Sequence, residues 1–378
     1  MDSIVIVDAK RTPIGKFFGS LSKYSSVDLA TKLVTKMLET NKINKNDINQ
    51  VIMGNVLPTG NGQNIARQVA LNSGLNQSST AMTINQVCGS GLKAIRLGQF
   101  ALQAGDAKVV IVGGTESMSN APYFNRRTGK LEHDDSNEDS LFTDGLNDAF
   151  SHSAMGITAE NVASKYQISR QAQDQFAYSS HQKASKADFS NEIIPIDGLT
   201  EDESIRPGTT IDKLATLKTT FKEDGTVTAG NSSPLNDGAS ALILTTKKYA
   251  DEHGLEYLAE IDEYFECGVD PNYMGYAPYD AISGLINRSD SNINDYDLFE
   301  INEAFASQSV AVVENLGISN DKVNIKGGAL ALGHPLGASG ARIVTTLINN
   351  LKDENKKRGI ASLCIGGGMG IALSIKLP

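Results

Sequence analysis

Thr83-Ile84-Asn85-Gln86-Val87-Cys88-Gly89-Ser90-Gly91-Leu92-Lys93-Ala94-Ile95 is the stretch that decides how the chain is read. An apolar run stops at a cysteine, Gly89 and Gly91 predict a tight turn, and a helical pattern follows at Leu92, Ile95, Phe100 and Leu102. Cys88 is thereby placed at a strand-to-helix corner, near the positive end of a helix dipole. Unpaired N–H groups of a first helical turn stabilise negative charge, which favours thiolate over thiol. A lone cysteine is more often a buried structural residue. The flanking Gly-Ser-Gly argues otherwise, because small residues leave room for a substrate above the sulfur.

Working outward, strands and helices alternate on both sides of this corner. Strands are expected over 4–7, 51–56, 82–87 and 109–112, and helices over 27–38, 65–71 and 92–102, the last ending at Ala104-Gly105. The helix over 27–38 turns Leu29, Leu33, Val34, Met37 and Leu38 inward. Arg11 to Gly15 reads as a loop. From Thr115 to about Leu235 the pattern gives way to polar loops and small helices, with one helical stretch over 162–187. The charged run 125–139 reads chiefly as solvated surface. Alternation returns with strands over 258–265, 297–301, 323–325, 359–365 and 369–375, and helices over 279–286, 303–316 and 338–351. Such alternation predicts an α/β protein with a largely parallel sheet covered on both faces. Three parts are expected: a first core half over 1–117, an inserted loop domain over 118–247 whose last part returns to the core, and a second core half over 248–378.

The two core parts resemble each other. Gly89-Ser90-Gly91, a helix, a strand and Gly113-Gly114 parallel Ala338-Ser339-Gly340, a helix, a strand and Gly366-Gly367. Asn46-Asp47-Ile48 before one strand parallels Asn294-Asp295-Tyr296 before another. Two matches in a shared order predict duplicated halves related by a pseudo-twofold axis, with corresponding strand ends facing one central cleft.

Composition narrows the function. The 378 residues are 40% hydrophobic and carry a net charge of −10, which argues against general nucleic-acid binding. The three cysteines, 88, 267 and 364, form no C-x-x-C pair, so neither a disulfide framework nor a metal site is expected. No membrane-spanning run, secretory leader or peroxisomal tripeptide is read, and the expected compartment is the reduced cytoplasm.

Three further segments bring chemistry. His334 lies in the glycine-rich run 326–340, in a loop opening a helix, where a core or idle surface role is least expected of the five histidines. It is a credible base for a thiol. Asn302 ends a buried strand in Ile301-Asn302-Glu303-Ala304-Phe305, where a helix N-cap is the plain alternative. Cys364 meets a second glycine-rich turn, Gly366-Gly367-Gly368, at what the duplication makes an equivalent strand end. Cys, His and Asn alone would suit a cysteine hydrolase. A second thiol suggests proton abstraction beside a nucleophilic thiol, hence carbon–carbon bond chemistry on a thioester.

These residues and their companions resemble the thiolase family, and within it the bacterial acetyl-CoA acetyltransferases. The matching runs include Arg11-Thr12-Pro13-Ile14-Gly15, Val87-Cys88-Gly89-Ser90-Gly91, Gly113-Gly114-Thr115-Glu116-Ser117-Met118-Ser119, Met155-Gly156, Gly225-Thr226-Val227-Thr228-Ala229-Gly230-Asn231, Asn302-Glu303-Ala304-Phe305, Gly333-His334-Pro335 and Cys364-Ile365-Gly366-Gly367-Gly368. The resemblance implies duplicated αβαβα halves with mixed, mostly parallel sheets and an inserted loop domain. It implies a ping-pong Claisen condensation of two acetyl-CoA to acetoacetyl-CoA, placed in fatty-acid metabolism. Cys88 would be the nucleophile, His334 its activator and Cys364 the base that removes an α-proton. His334 and a water held by Asn302 would serve the enolate, and the N–H groups of Cys88 and Gly366 the acetyl-enzyme.

By the same resemblance Met155, Arg206, Leu217, Phe221, Ala229, Ser233, Met274, Ala304, Phe305 and Leu336 bind coenzyme A, a substrate and product rather than a cofactor. No other cofactor is implied. The partners implied are acyl-CoA molecules and further copies of the chain, as a homodimer and then, through the segment after Met118-Ser119, a dimer of dimers. The chain departs from the family pattern at Ala154, where a histidine is usual, at Leu217-Lys218-Thr219-Thr220-Phe221, and in a stretch over 183–206 about a dozen residues short. A 3-ketoacyl-CoA thiolase of broader chain length shares every catalytic residue. Ketoacyl-carrier-protein and hydroxymethylglutaryl-CoA synthases replace Cys364 or Asn302. A silent acyl-CoA-binding protein would be expected to lose Cys88, His334 or Cys364.

Overall fold

The computed structural model describes residues 2–378. Nine main strands are β1 (Ile4–Arg11), β2 (Ile48–Gly54), β3 (Thr80–Ile84), β4 (Val109–Ser117), β5 (Asn236–Thr246), β6 (Ala259–Gly268), β7 (Leu298–Ile301), β8 (Arg358–Ile365) and β9 (Met369–Lys376). The longer helices are α1 (Ser26–Thr40), α2 (Ile65–Asn72), α3 (Ser90–Ala104), α4 (Gly156–Lys165), α5 (Arg170–Ala184), α6 (Ala277–Arg288), α7 (Ala306–Leu316) and α8 (Leu336–Asp353).

The strands join in the order β7-β8-β9-β6-β1-β5-β4-β2-β3. Read outward from the central β6–β1 contact, both sides repeat one pattern. On one side β1–β5 and β5–β4 are antiparallel and β4–β2 parallel; on the other β6–β9 and β9–β8 are antiparallel and β8–β7 parallel. The contact itself is antiparallel and short, pairing Val5 with Glu260 and Ile6 with Ala259. This is the duplication expected from the sequence. Parallel pairing is confined to the outer strands of each half. β8 turns straight into β9 through Gly366-Gly367-Gly368, and such a short turn allows only an antiparallel neighbour.

Period-two alternation sorts the side chains into layers. In β4, Val110 and Val112 join the central core while Val109 and Ile111 face the outer one; in β5, Leu242 and Leu244 face inward, and Ala241 and Ile243 outward. In β9, Ile371, Leu373 and Ile375 face the centre and Ala372 the far side. The central layer holds α3 and α8 with Leu92, Ile95, Leu102, Ile343, Val344 and Leu347. α1 and α2 cover one outer face, α6 and α7 the other. The result is helix–sheet–helix–sheet–helix. Phe100 departs from its expected place: it is 47% exposed, under the Arg96 guanidinium.

Three further elements differ from expectation. The helical stretch over 162–187 is two helices, α4 and α5, broken at Tyr166 to Ser169. The strand expected over 323–325 is reduced to one parallel bridge, Val323 with Phe299. The charged run folds as a hairpin arm in which Tyr123–Phe124 pairs with Glu138–Asp139, Arg126 bonds Glu138, and Leu131 is 95% exposed. Among the described residues no helix is long and apolar enough to cross a membrane.

Candidate active site

Strand β3 stops at Ile84, three residues earlier than the apolar run suggests. Residues 85–89 turn instead, with Asn85 Oδ1 accepting from Val87 N at 2.8 Å and Gln86 O from Gly89 N at 3.0 Å. Ser90 Oγ accepts from Gln86 N and donates to Val87 O, at 2.8 and 2.7 Å. The strain falls on Val87, whose φ of 47° is rare for a β-branched residue. Gly89 has an ordinary φ of −78°. The glycines are therefore needed for close approach rather than for the turn. A Cβ on Gly89 would lie 2.4 Å from Ile365 Cδ1, and one on Gly91 would lie 2.7 Å from Ala341 N. Gly340 is the mirror case, 2.2 Å from Leu92 N. The backbones of α3 and α8 touch where they cross, bringing the loops before them together.

The loop before α8 carries His334, 5% exposed. Asn236 Oδ1 accepts its backbone N–H at 2.9 Å. Its Nδ1 lies 2.6 Å from Ser339 Oγ, whose hydrogen goes to Pro335 O at 2.9 Å. Nδ1 then carries the ring proton and Nε2 keeps a lone pair. Asn302 agrees with that assignment: its Nδ2 faces His334 Nε2 at 3.4 Å, and its Oδ1 faces Arg342 Nη2 at 3.4 Å. Asn302 is not a helix cap, because α7 begins at Ala306 with Phe305 at the capping position. Glu303 likewise does not serve the dipole of α7; its carboxylate accepts from Ser180 Oγ, Asn324 Nδ2 and Leu330 N.

Burial overturns the expected thiolate. It pushes the Cys88 thiol up to about 12, against the N–H groups of Gly366 and of Cys88 itself, which favour negative charge on the sulfur; the Glu116 carboxylate raises it further. Burial, then the Arg342 charge, holds His334 down at about 3. The resting pair is a neutral thiol and a neutral imidazole. Cys364, wholly buried at the end of β8, is raised well above the thiol range by burial and then by the neighbouring Cys88. The two sulfurs thus face one another electrostatically, although their places in the halves are not equivalent. Cys88 precedes α3, and the matching loop before α8 holds His334; Cys364 ends β8, the counterpart of β4.

The comparisons with known proteins point one way. Residues 4–248 match the family described as thiolase, N-terminal domain, and 255–377 the thiolase, C-terminal domain. A "Probable acetyl-CoA acyltransferase" of Staphylococcus epidermidis is 49% identical over 387 residues, covering 98% of each chain. The chain belongs to the thiolase family. Among solved structures, the acetyl-CoA acetyltransferase of Bacillus anthracis superposes with a TM-score of 0.96 at 40% identity, covering 100% of this chain and 99% of that one. The human mitochondrial 3-ketoacyl-CoA thiolase in complex with CoA gives 0.96 at 41% identity, covering 100% and 98%. Like them, this thiolase-family chain is an acyltransferase.

The residues matched to coenzyme A positions fall into three zones of the thiolase fold. Met274 and Ala304 are buried against Cys364, with Met155 and Phe305 packed on them. Met155 Cε would lie 2.5 Å from a Cβ on Gly366, so a side chain there would displace the end of Met155. Leu336 shares the cluster of Cys88. Phe221 meets Phe305 edge-on at 6.1 Å and covers Gly156, and Ser233 N donates to Ala304 O at 2.9 Å. Leu217 and Ala229 are exposed, as is Arg206, away from the sulfurs. Three residues of this centre were not singled out in sequence. Glu116 accepts from Val56 N, Leu57 N, Asn55 Nδ2 and Gly337 N, tying the two halves beneath Cys88. Arg342, 2% exposed, stands beside Glu300 at 3.5 Å. Gln308 touches Cys364. Nothing local in the sequence sets them apart: Glu116 stands between Thr115 and Ser117, Gln308 between Ser307 and Ser309, and Ser339, Thr345 and Thr346 flank Arg342 on its helix.

Proposed function

We propose that this thiolase condenses two molecules of acetyl-CoA to acetoacetyl-CoA and CoA, reversibly, through an acetyl-Cys88 intermediate. The observation that carries this reading is the Cys88 sulfur, favoured by the N–H groups of Gly366 and of Cys88 itself, with Cys364 as its neighbour, in a chain whose His334 keeps the Nε2 lone pair. Cys88 S–H gives its proton to Nε2 as the sulfur attacks the thioester carbonyl. A thiol raised to about 12 is a poor nucleophile until that transfer occurs, so proton movement and attack are concerted. The oxyanion collapses, the C–S bond to CoA breaks, and the imidazolium returns the proton to the departing thiolate.

In the second half, Cys364 gives its proton to Nε2 and its thiolate takes an α-proton from a second acetyl-CoA. The enolate oxygen then faces a protonated Nε2 and the Asn302 amide, or a water that amide holds. Carbon attacks the acetyl-enzyme, Cys88 leaves as thiolate and recovers the proton from the imidazolium. Protons balance through one imidazole. Met155, Met274, Ala304, Phe305 and Leu336 would enclose the acyl end, Phe221, Leu217, Ala229 and Ser233 the pantetheine, and Arg206 the adenine end. A homodimer, paired again through the exposed Tyr123 and Leu131 of the hairpin arm, would complete the assembly; light scattering giving a monomer would remove that part.

A second reading is favoured equally by the likeness to the human 3-ketoacyl-CoA thiolase: cleavage of longer 3-ketoacyl-CoAs. Initial rates of CoA-dependent cleavage decide between them. Acetoacetyl-CoA should be cleaved fastest; equal or faster cleavage of longer homologues would transfer the assignment. Family membership and the retained thiols leave no support for a silent binding protein. Restoring histidine at 154 and the usual residues at 218–220 should tighten CoA binding; an unchanged Kd would remove any effect of those departures.

A further inference from the structure

Gln308 lies on α7, wholly buried, with its amide between three groups. Two have fixed polarity. The backbone N–H of Ser309 can only donate, and the backbone carbonyl of Asn302 can only accept. The amide therefore turns its oxygen to Ser309 N at 2.8 Å and Ser309 Oγ at 3.1 Å, and its nitrogen to Asn302 O at 3.0 Å. The reverse orientation would set oxygen against carbonyl oxygen and N–H against N–H. Once the orientation is fixed, the same nitrogen lies 3.6 Å from Cys364 Sγ, within the range of an N–H to sulfur contact.

Little else near Cys364 favours negative charge. Met274, Ala304, Met155 and Phe305 surround it with apolar side chains; its own backbone N–H helps, and the Cys88 thiol opposes. We propose that Gln308 is a catalytic residue: its amide N–H donates to the Cys364 sulfur and stabilises the thiolate that removes the α-proton. Asn302 O takes the second amide hydrogen, so the residue that holds the enolate side also orients the donor on the base side. A primary amide is suited to this because it is neutral in both states and leaves the sulfur basic. A cation there would stabilise the thiolate more strongly and weaken it as a base.

This rests on Cys364 being the base, and the test separates the two claims. The measurement is exchange of acetyl-CoA methyl protons with deuterated solvent, read by mass spectrometry, beside acetylation of Cys88 read by intact mass. Exchange isolates the step at Cys364; acetylation reports the fold and the nucleophile. Cys364→Ala should lose exchange, and full exchange in that variant would defeat the base assignment itself. Gln308→Leu and Gln308→Glu should lower exchange about tenfold to a hundredfold, the size expected for one hydrogen bond to a charged group. Each should lower exchange at least tenfold more than acetylation. The glutamate variant changes one atom and keeps the shape, so it remains informative if the leucine variant does not fold. Exchange that stays at the wild-type rate in Gln308→Glu while Cys364→Ala has lost it would overturn the role of Gln308 alone. Faster exchange would overturn it too, since it would mean that the native amide oxygen accepts from the thiol.

Discussion

The loop–helix units at 85–104 and 333–353 are two versions of one construction. Each central helix carries a serine near its start, Ser90 at the first position of α3 and Ser339 at the fourth of α8, that bonds back to the residues before the helix. Each crosses the other at a glycine, and two residues beyond that glycine each carries a cation, Lys93 or Arg342. The contents differ. One loop holds the Cys88 thiol and the other the His334 imidazole. Lys93 meets Glu266 at 2.7 Å near solvent, whereas Arg342 meets Glu300 at 3.5 Å in the interior. One unit follows a five-residue strand, β3; the other has a single bridge at Val323 in its place. Duplication supplied a scaffold with two facing loops, and divergence gave them complementary chemistry.

The largest break in that comparison comes from removing either sulfur. Cys88→Ala should abolish acetyl transfer, by about four orders of magnitude or more. Cys364→Ala should block condensation while acetyl-Cys88 still accumulates, which intact mass will show. Next comes pH. Because burial raises Cys88 to about 12, the free enzyme holds a thiol below that value. Alkylation of Cys88 by iodoacetamide should then climb about tenfold per pH unit from about pH 7 to about pH 11. A flat profile across neutral pH would instead reveal a thiolate–imidazolium pair. His334 works in the opposite direction on stability. Its folded value of about 3 lies below the unfolded 6.5, so between them the unfolded chain binds more protons and stability falls as pH drops.

The paired cations give the next contrast. Arg342→Ala leaves Glu300 with only Asn350 as a bonding partner and, because burial already raises its carboxyl to about 8, should protonate it and cost about 1–3 kcal/mol in denaturant melts. Gly340→Ala drives a Cβ against backbone and should cost about 3 kcal/mol, whereas Gly89→Ala meets the flexible end of Ile365 and should cost about 1 kcal/mol. The latter should show mainly in kcat, by displacing Gly366. Lys93→Ala, at an ion pair whose side chains are 24% and 38% exposed, should cost about 1 kcal/mol or less.

Much of this was legible in the residues. Strand–helix alternation, the repeated Gly-Ser-Gly and Ala-Ser-Gly units and the C-cap at Gly105 announced the layered, duplicated core. Cys88, His334 and Cys364 stood out because they meet glycine-rich turns, and Asn302 because it ends a buried strand. What stayed hidden depends on three-dimensional neighbours. The dipole argument for a thiolate ignored that Cys88 is 4% exposed, and desolvation outweighs two N–H donors. Nothing local marks Arg342 as buried or Glu300 as its partner. Gln308 acquires meaning only when Ser309, Asn302 and Cys364 fix which way its amide points. Val323 read as a strand because β-propensity does not reveal how many partners a segment will find.

The contact of Gly91 with α8 and of Gly340 with α3 has a mechanical consequence. With no side chain between the two backbones, neither helix can roll or slide without carrying the other. The loops hung from them behave like jaws on a single hinge pin. The thiol of one loop and the imidazole of the other thereby keep their mutual spacing.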